Sequence, residues 1–320
     1  MSIGANIKKR RFELKMTQQD LANAMGYKTR TTIAKIESGE NDISQTKLQR
    51  MAKIMDTTVE SLLAGNNSLN LPQAFSVDDI TSLNNGTKKK NIVLIMAGGK
   101  SGRNMQNIPN QFINVLNKPI IIYCLEAYQL HPSIDDIYIV CLKGWESIVQ
   151  AYAEQFGITK LKGIIPAGPC GILSVKNGID YIKNIYNRND NIIIQEATRP
   201  MVSVEMISKL IQTVNSIGSA SICRSMNDYI QFDVSNQKIT YLDRNTTVDL
   251  QSPEAFTLEI ICNAFNKADK KNHEYNESCC AMLLYNLGYY INFIEGSTNN
   301  LKIIRQEDIS ILTTLLKQKM

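Results

Sequence analysis

Residues Ala97-Gly98-Gly99-Lys100-Ser101-Gly102-Arg103 place three glycines and two cations in one short run. Glycine lets a backbone turn sharply and approach a ligand with no Cβ in the way. Consecutive N–H groups in such a turn, joined by a basic side chain, form a concavity suited to phosphate. A tight turn with no ligand is the alternative for so short a cluster. The spacing is neither that of a Walker loop, which needs Gly-Lys-Ser/Thr after four spacer residues, nor GxGxxG.

The elements that must position this loop are legible around it. Ile92 to Met96 is an unbroken apolar run rich in β-branched residues, the pattern of a strand buried on both faces. Further strands are expected at Ile137 to Leu142, Gly163 to Pro166, Ile192 to Ile194 and Ala220 to Cys223. Helical periodicity falls between them at Pro119 to Gln129, Trp145 to Phe156, Leu173 to Tyr186 and Val204 to Ile217. This alternation predicts an α/β domain over 91–320, a mostly parallel sheet with helices on both faces and ligands at the C-terminal strand ends.

The chain of 320 residues has room for that domain and a small second one. No apolar run approaches the roughly 20 residues that span a bilayer, and the first residues lack the apolar core of a secretory signal. Seven cysteines without a CxxC pair, and only two histidines, argue against zinc and for reduced thiols, so the expected compartment is the cytoplasm. Residues 1–72 hold 11 Lys/Arg against 7 Asp/Glu, which is most of the chain's formal +5. That asymmetry suits a polyanion partner for the N-terminal part.

Five short helices fit residues 1–65. Thr17 caps the second, with Asp20 three residues on, and Gly26 ends it. Thr31 to Ser38 follows, then a helix from Ser44, and Val59, Leu62 and Leu63 close the bundle. Helix, Gly-centred turn, helix is the helix-turn-helix arrangement. Residues 66–90, rich in Asn, Ser and Asp, read as a linker.

On MTQQDLANAMG, RTTIAKIESGE and LQRMAKIMDTTVESLL, the first 65 residues resemble the Cro/lambda-repressor type of DNA-binding domain. The resemblance implies that the second helix of the motif enters the major groove of double-stranded DNA. It would offer Thr29, Arg30, Thr31, Thr32 and Lys35, with Gln18 near a phosphate.

The larger part resembles the cytidylyltransferases of polyol and sugar-alcohol phosphates, the ribitol-5-phosphate and methylerythritol-phosphate enzymes. The segments are Ala97-Gly98-Gly99-Lys100-x-x-Arg103 with Pro109-x-Gln111-Phe112, Ser174-Val175-x-Asn177-Gly178, Glu196-Ala197-Thr198-Arg199-Pro200, Asp243-Arg244 with Gln251 to Phe256, and Glu295 to Lys302 with Glu307-Asp308. The resemblance implies a Rossmann-like nucleotidyltransferase that uses CTP and Mg²⁺. Ala97, Gly98, Gly99, Ser174 and Gly178 would hold the nucleotide, Arg103, Lys302 and Lys100 would serve catalysis, and Glu196 would bind the metal. Arg199 and Arg244 would hold the acceptor phosphate, with Arg244 on an arm exchanged between the subunits of a homodimer.

Departures fall at the chemistry. Asn110 stands where the family has a lysine, Cys170-Gly171 where it has Thr-Arg, and Asn276 to Cys280 where it has Thr-Asp-Asp-Ala-Ser. Two functions follow from the resemblance: cytidylyl transfer to a polyol phosphate, or a catalytically impaired domain that senses CTP or a CDP-alcohol for a transcriptional regulator. Restoring the family lysine at Asn110 is expected to raise any transfer rate.

Overall fold

The structure is a computed structural model and describes residues 3–27, 29–41, 43, 45–57, 62, 89–100, 108–226, 228–234 and 239–319. The chain divides into two compact units, Met1–Ser76 and Val77–Met320. The expected linker and Arg103 lie outside the described residues, apart from residues 89 and 90 of the former.

The N-terminal unit contains α1 (Ile3–Glu13), α2 (Gln18–Met25), α3 (Thr31–Ser38) and α4 (Gln45–Ile54). Thr17 and Asp20 form the expected reciprocal cap, and Gly26 ends α2 in the left-handed region at φ 75°. Ile7, Leu21, Ile33, Met51 and Leu62 meet in one core. Leu62 is the described residue of the expected fifth helix, while Ser44, Val59 and Leu63 lie outside the described residues. Arg11, on the inner face of α1, is also buried. Its Nε and Nη2 donate to Oε1 and Oε2 of Glu37 at 2.7 and 3.1 Å, and its Nη1 donates to the Met16 carbonyl at 2.7 Å. A buried charge tolerates desolvation only with such partners.

The C-terminal unit is built on a seven-stranded sheet. Its strands are β1 (Asn91–Ala97), β4 (Asp136–Cys141), β5 (Leu161–Pro166), β6 (Asn191–Glu196), β7 (Ser219–Ser225), β10 (Val248–Thr257) and β11 (Phe293–Glu295), in the order β11-β7-β10-β6-β1-β4-β5. All neighbouring pairs run parallel except those of β10, which is antiparallel to both β6 and β7. This strand was not expected from the sequence, because Gln251, Ser252, Pro253 and Glu254 interrupt its apolar run. Small ladders pair β2 (Asn114–Val115) with β3 (Lys118–Pro119), and β8 (Gln231–Asp233) with β9 (Thr240–Leu242).

Alternation along β1 sorts its side chains into two cores. Val93 and Ile95 pack with α5 (Ile120–Leu130), α6 (Glu146–Gln155) and α8 (Val204–Ile217). Ile92 and Leu94 pack on the other face with α7 (Gly171–Ile182), α9 (Leu258–Lys270) and α10 (Cys280–Asn286). The helix expected from Leu173 begins two residues earlier, at Gly171. The last helix, α11 (Gln306–Lys319), seats Leu312 against Val115 and Ile303. Among the described residues, no helix is long and apolar enough to cross a membrane.

Candidate functional site

At the C-terminal ends of β1 and β6 lies a cleft with about 240 Å³ of accessible space. Met96 of β1, Glu196 of β6, Gly171 and Val175 of α7, Ser252 and Glu254 of β10, Cys279 and Lys302 are among its lining residues. The fold thus gathers four of the family-like segments around one space.

Glu196 is its electrostatic centre. Arg199 Nε donates to Oε2 at 2.8 Å, and Lys302 Nζ holds Oε1. Burial raises the Glu196 carboxyl, but the charges and hydrogen bonds of Lys302 and Arg199 outweigh it and hold the group below its ordinary range. Arg199 also donates through Nη1 to the Asn300 carbonyl at 2.8 Å. Asn300 in turn donates to Gln251 Oε1 and the Ser252 carbonyl, which ties the Lys302 segment to β10.

Sequence reasoning missed a second carboxylate. Glu254, buried on β10, accepts the N–H groups of Cys280 and Ala281 at 3.1 and 2.8 Å. Burial pushes it up to about 7 against the lowering of those two bonds, with the Glu196 charge adding to the rise. The signal was present in Gln251 to Phe256, but only the fold shows that Glu254 turns toward the cleft wall. Cys279, beside it, is pushed up to about 12 by burial and by Glu254, so its thiol stays protonated at neutral pH.

The other residues expected at the nucleotide have the following places in the fold. Ser174 lies one turn into α7. Its Oγ accepts the Gly168 N–H at 2.9 Å and donates to the Cys170 carbonyl at 2.8 Å, so it shapes the loop before the helix. Gly178 lies on the buried face of α7, where an added Cβ would sit 2.4 Å from Leu94 Cδ2, so its role there is close packing. At Gly98 an added Cβ would sit 2.6 Å from Ala167 Cβ, which demands glycine at the end of β1. Ala97 is buried, whereas Gly99 and Lys100 are exposed beyond it. Arg244 is exposed in the turn after β9 and is not among the residues lining the cleft.

In the N-terminal unit, Thr29, Arg30, Thr31 and Lys35 are exposed at and along α3, and Thr32 is half-buried. Gln18, expected near a DNA phosphate, also has a partner within the unit. Its Nε2 donates to Glu37 Oε2 at 2.9 Å, completing the partners of the buried Arg11–Glu37 pair.

A mostly parallel sheet whose strand ends carry this paired carboxylate and cations defines a Rossmann-like nucleotidyltransferase. The family model for 2-C-methyl-D-erythritol 4-phosphate cytidylyltransferase matches residues 91–318, and the chain belongs to that family. A helix-turn-helix family model matches residues 7–62. The chain is 31% identical over 229 residues to ribitol-5-phosphate cytidylyltransferase of Lacticaseibacillus paracasei, covering 71% of this chain and 97% of that protein. It is also 31% identical over 232 residues to 2-C-methyl-D-erythritol 4-phosphate cytidylyltransferase of Clostridium botulinum, covering 72% and 98%. The fold matches the crystal structure of 4-diphosphocytidyl-2C-methyl-D-erythritol synthase from Anaerococcus prevotii with a TM-score of 0.62 at 18% identity, covering 72% of this chain and 96% of that one.

Proposed function

We propose that this protein transfers the cytidylyl group of CTP to a polyol or sugar-alcohol phosphate and carries a DNA-binding helix-turn-helix domain. In the transfer, a phosphate oxygen of the acceptor bonds to the α-phosphorus, the bond to the β-phosphate oxygen breaks, and pyrophosphate leaves beside the CDP-alcohol. The observation that carries this reading is Lys302 meeting Glu196 at the end of β6, within a family defined by this reaction.

Charge accumulates on the α-phosphoryl oxygens as the new bond forms. A positioned cation there is worth roughly 3–4 kcal/mol of barrier. Lys302 is that cation in this reading: it leaves Glu196 Oε1 for the α-phosphate when CTP enters. Arg199, held by Glu196 and Asn300, supplies a fixed charge for the acceptor phosphate. Arg103 and Lys100, together with the N–H groups of Gly98 and Gly99, receive the other phosphates. Arg244 serves the acceptor from the partner subunit of a homodimer.

The donor set suits Mg²⁺. Glu196 offers hard oxygen ligands, while Glu254 spends its oxygens on backbone N–H groups. Among the described residues no cluster of three His, Cys, Asp or Glu can hold a metal unaided. Mg²⁺ ordinarily takes one or two carboxylates and completes its shell with phosphates and water. Bound by Glu196 and the triphosphate, it would neutralise phosphate charge.

The sensing reading draws on a different residue: Asn110, where the family resemblance implies a lysine, is buried and donates to two carbonyls. Both readings place the protein in the cytoplasm. Incubation with CTP, Mg²⁺ and a panel of polyol phosphates tests them. Pyrophosphate release supports transfer, and CTP binding without release supports sensing.

A further inference from the structure

The 3₁₀ turn Asn110–Phe112 stands between the glycine loop and the Lys302 segment, and two adjacent carboxamides reach from it in both directions. Gln111 Nε2 donates to the carbonyls of Ala97 and Gly99 at 2.9 and 3.1 Å. Asn110 Nδ2 donates to the carbonyls of Ile303 and Ile304 at 3.2 and 3.0 Å. The two residues are 3% and 7% exposed, and their bonds to the Ala97 and Ile303 carbonyls are buried, where losing one costs more than it would in water. The turn itself is fixed from behind by Phe112, whose ring stacks on Trp145 at 4.4 Å and 7°.

Each end of this bridge bears on the phosphate site. A trans peptide directs the N–H of one residue opposite the C=O of the residue before it. Holding the Ala97 and Gly99 carbonyls on Gln111 therefore turns the N–H groups of Gly98 and Lys100 to the other side, away from the turn. At the far end, Ile303 N–H donates to the Thr198 carbonyl at 2.8 Å, and the N–H groups of Ile304 and Arg305 share Asp308 Oδ2, both at 2.8 Å. Asn110 completes this anchorage from the remaining direction, one residue after Lys302.

We propose that Asn110 and Gln111 act as one positioning clamp that sets the spacing between the glycine loop and Lys302 across the triphosphate site. Asn110 thus carries a geometric role where the family resemblance implies a cation. The inference rests on the transferase reading for its kinetic consequence and on geometry alone for its structural one. It reverses the expectation drawn from the family motif: Asn110→Lys breaks two carbonyl contacts and buries an ammonium, so the rate falls.

The test uses full-length Asn110→Ala and Gln111→Met, with Asn110→Lys as a third variant. Amide hydrogen exchange of the unliganded proteins comes first. Either of the first two substitutions should speed exchange at both the Ala97–Lys100 and the Ile303–Arg305 segments. Exchange that rises only beside the substituted residue, or at neither segment, overturns the clamp. In the CTP assay, Gln111→Met should mainly raise the KM for CTP and Asn110→Ala should mainly lower kcat, each by about 10- to 100-fold, as misplacement of about 1 Å does. Parallel losses in both variants that simply follow their melting temperatures reduce the pair to ordinary core polar contacts and overturn it. So does an Asn110→Lys variant faster than the native protein. If the native protein releases no pyrophosphate with any acceptor, the transferase reading fails, while the exchange experiment still decides the clamp.

Discussion

Lys302 Nζ rests on Glu196 Oε1 across a separation of 106 residues, and Arg199 holds the other oxygen of the same carboxylate. One acid is thus shared by two cations at the mouth of the cleft. CTP, more highly charged than a carboxylate, can compete for either of them.

Lys302→Ala should lower kcat by about 10²–10³, the usual effect of losing one preorganised charge donor. Its stability should change little, because Lys302 is 40% exposed at its side chain and exposed pairs contribute about 0–1 kcal/mol. Steady-state pyrophosphate release and a thermal melt read the two quantities separately.

The two carboxylates should leave opposite marks on stability against pH. Glu196 has its folded value held below its ordinary 4.5, so its contribution is present above that value and is lost as pH falls through the folded one. Glu254 is raised from 4.5 to about 7, so its contribution is present below 4.5 and declines as pH rises to about 7. Glu254→Gln should therefore flatten the fall in melting temperature between pH 5 and 8, a difference on the order of a few kcal/mol. An unaltered slope in calorimetry would show that Glu254 titrates as an ordinary acid.

Much of this was legible in the sequence. Buried strands such as Ile92–Met96 announce themselves through β-branched runs, and α8 occupies the expected Val204–Ile217. The cap at Thr17 and Asp20 is a local hydrogen-bond pattern and was equally plain. What escaped was non-local. Strand β10 carries Gln, Ser, Pro and Glu in its buried stretch, because it lines a cleft, so its apolar signal is broken. Glu254, Asn110 and Gln111 acquire their roles from partners that the sequence leaves far apart, such as Cys280, Ile303 and Ala97. Gly178 and Ser174 were expected to hold the nucleotide, and their packing on Leu94 and bonds to Gly168 and Cys170 are further contacts that only the fold shows.

In the N-terminal unit, Arg11→Met leaves Glu37 buried without its bidentate partner, with the two side chains 5% and 3% exposed. Breaking such a pair from one side costs about 3–5 kcal/mol. A separate, low-temperature transition of this unit should appear in calorimetry, with DNA binding lost alongside it.

Arg30→Ala and Lys35→Ala should each weaken binding to duplex DNA and reduce the slope of log affinity against log salt by about 1, as one lost phosphate contact does. Fluorescence anisotropy on a site selected from random duplexes measures both. Equal affinity in native and variant proteins would remove α3 from the interface.

The β8–β9 hairpin exposes Ile230, Phe232, Val234, Ile239 and Tyr241, with Ile239 at 74%. An isolated two-stranded ribbon with such an apolar surface is marginal in water, which fits an arm covered by a second copy of the chain. If the proposed homodimer forms through this arm, Phe232→Glu should yield a monomer in light scattering and, through Arg244, impair acceptor use. A native protein that is already monomeric would refute the arm's role.

Pyrophosphate release from CTP and Mg²⁺ by the full-length protein, followed with ribitol 5-phosphate and 2-C-methyl-D-erythritol 4-phosphate as acceptors, tests the central claim most directly. Release that requires both CTP and one of these polyol phosphates, with the matching CDP-alcohol formed in equal amount, is the predicted result. CTP that binds but remains intact in the presence of either acceptor and of other alditol phosphates would contradict it.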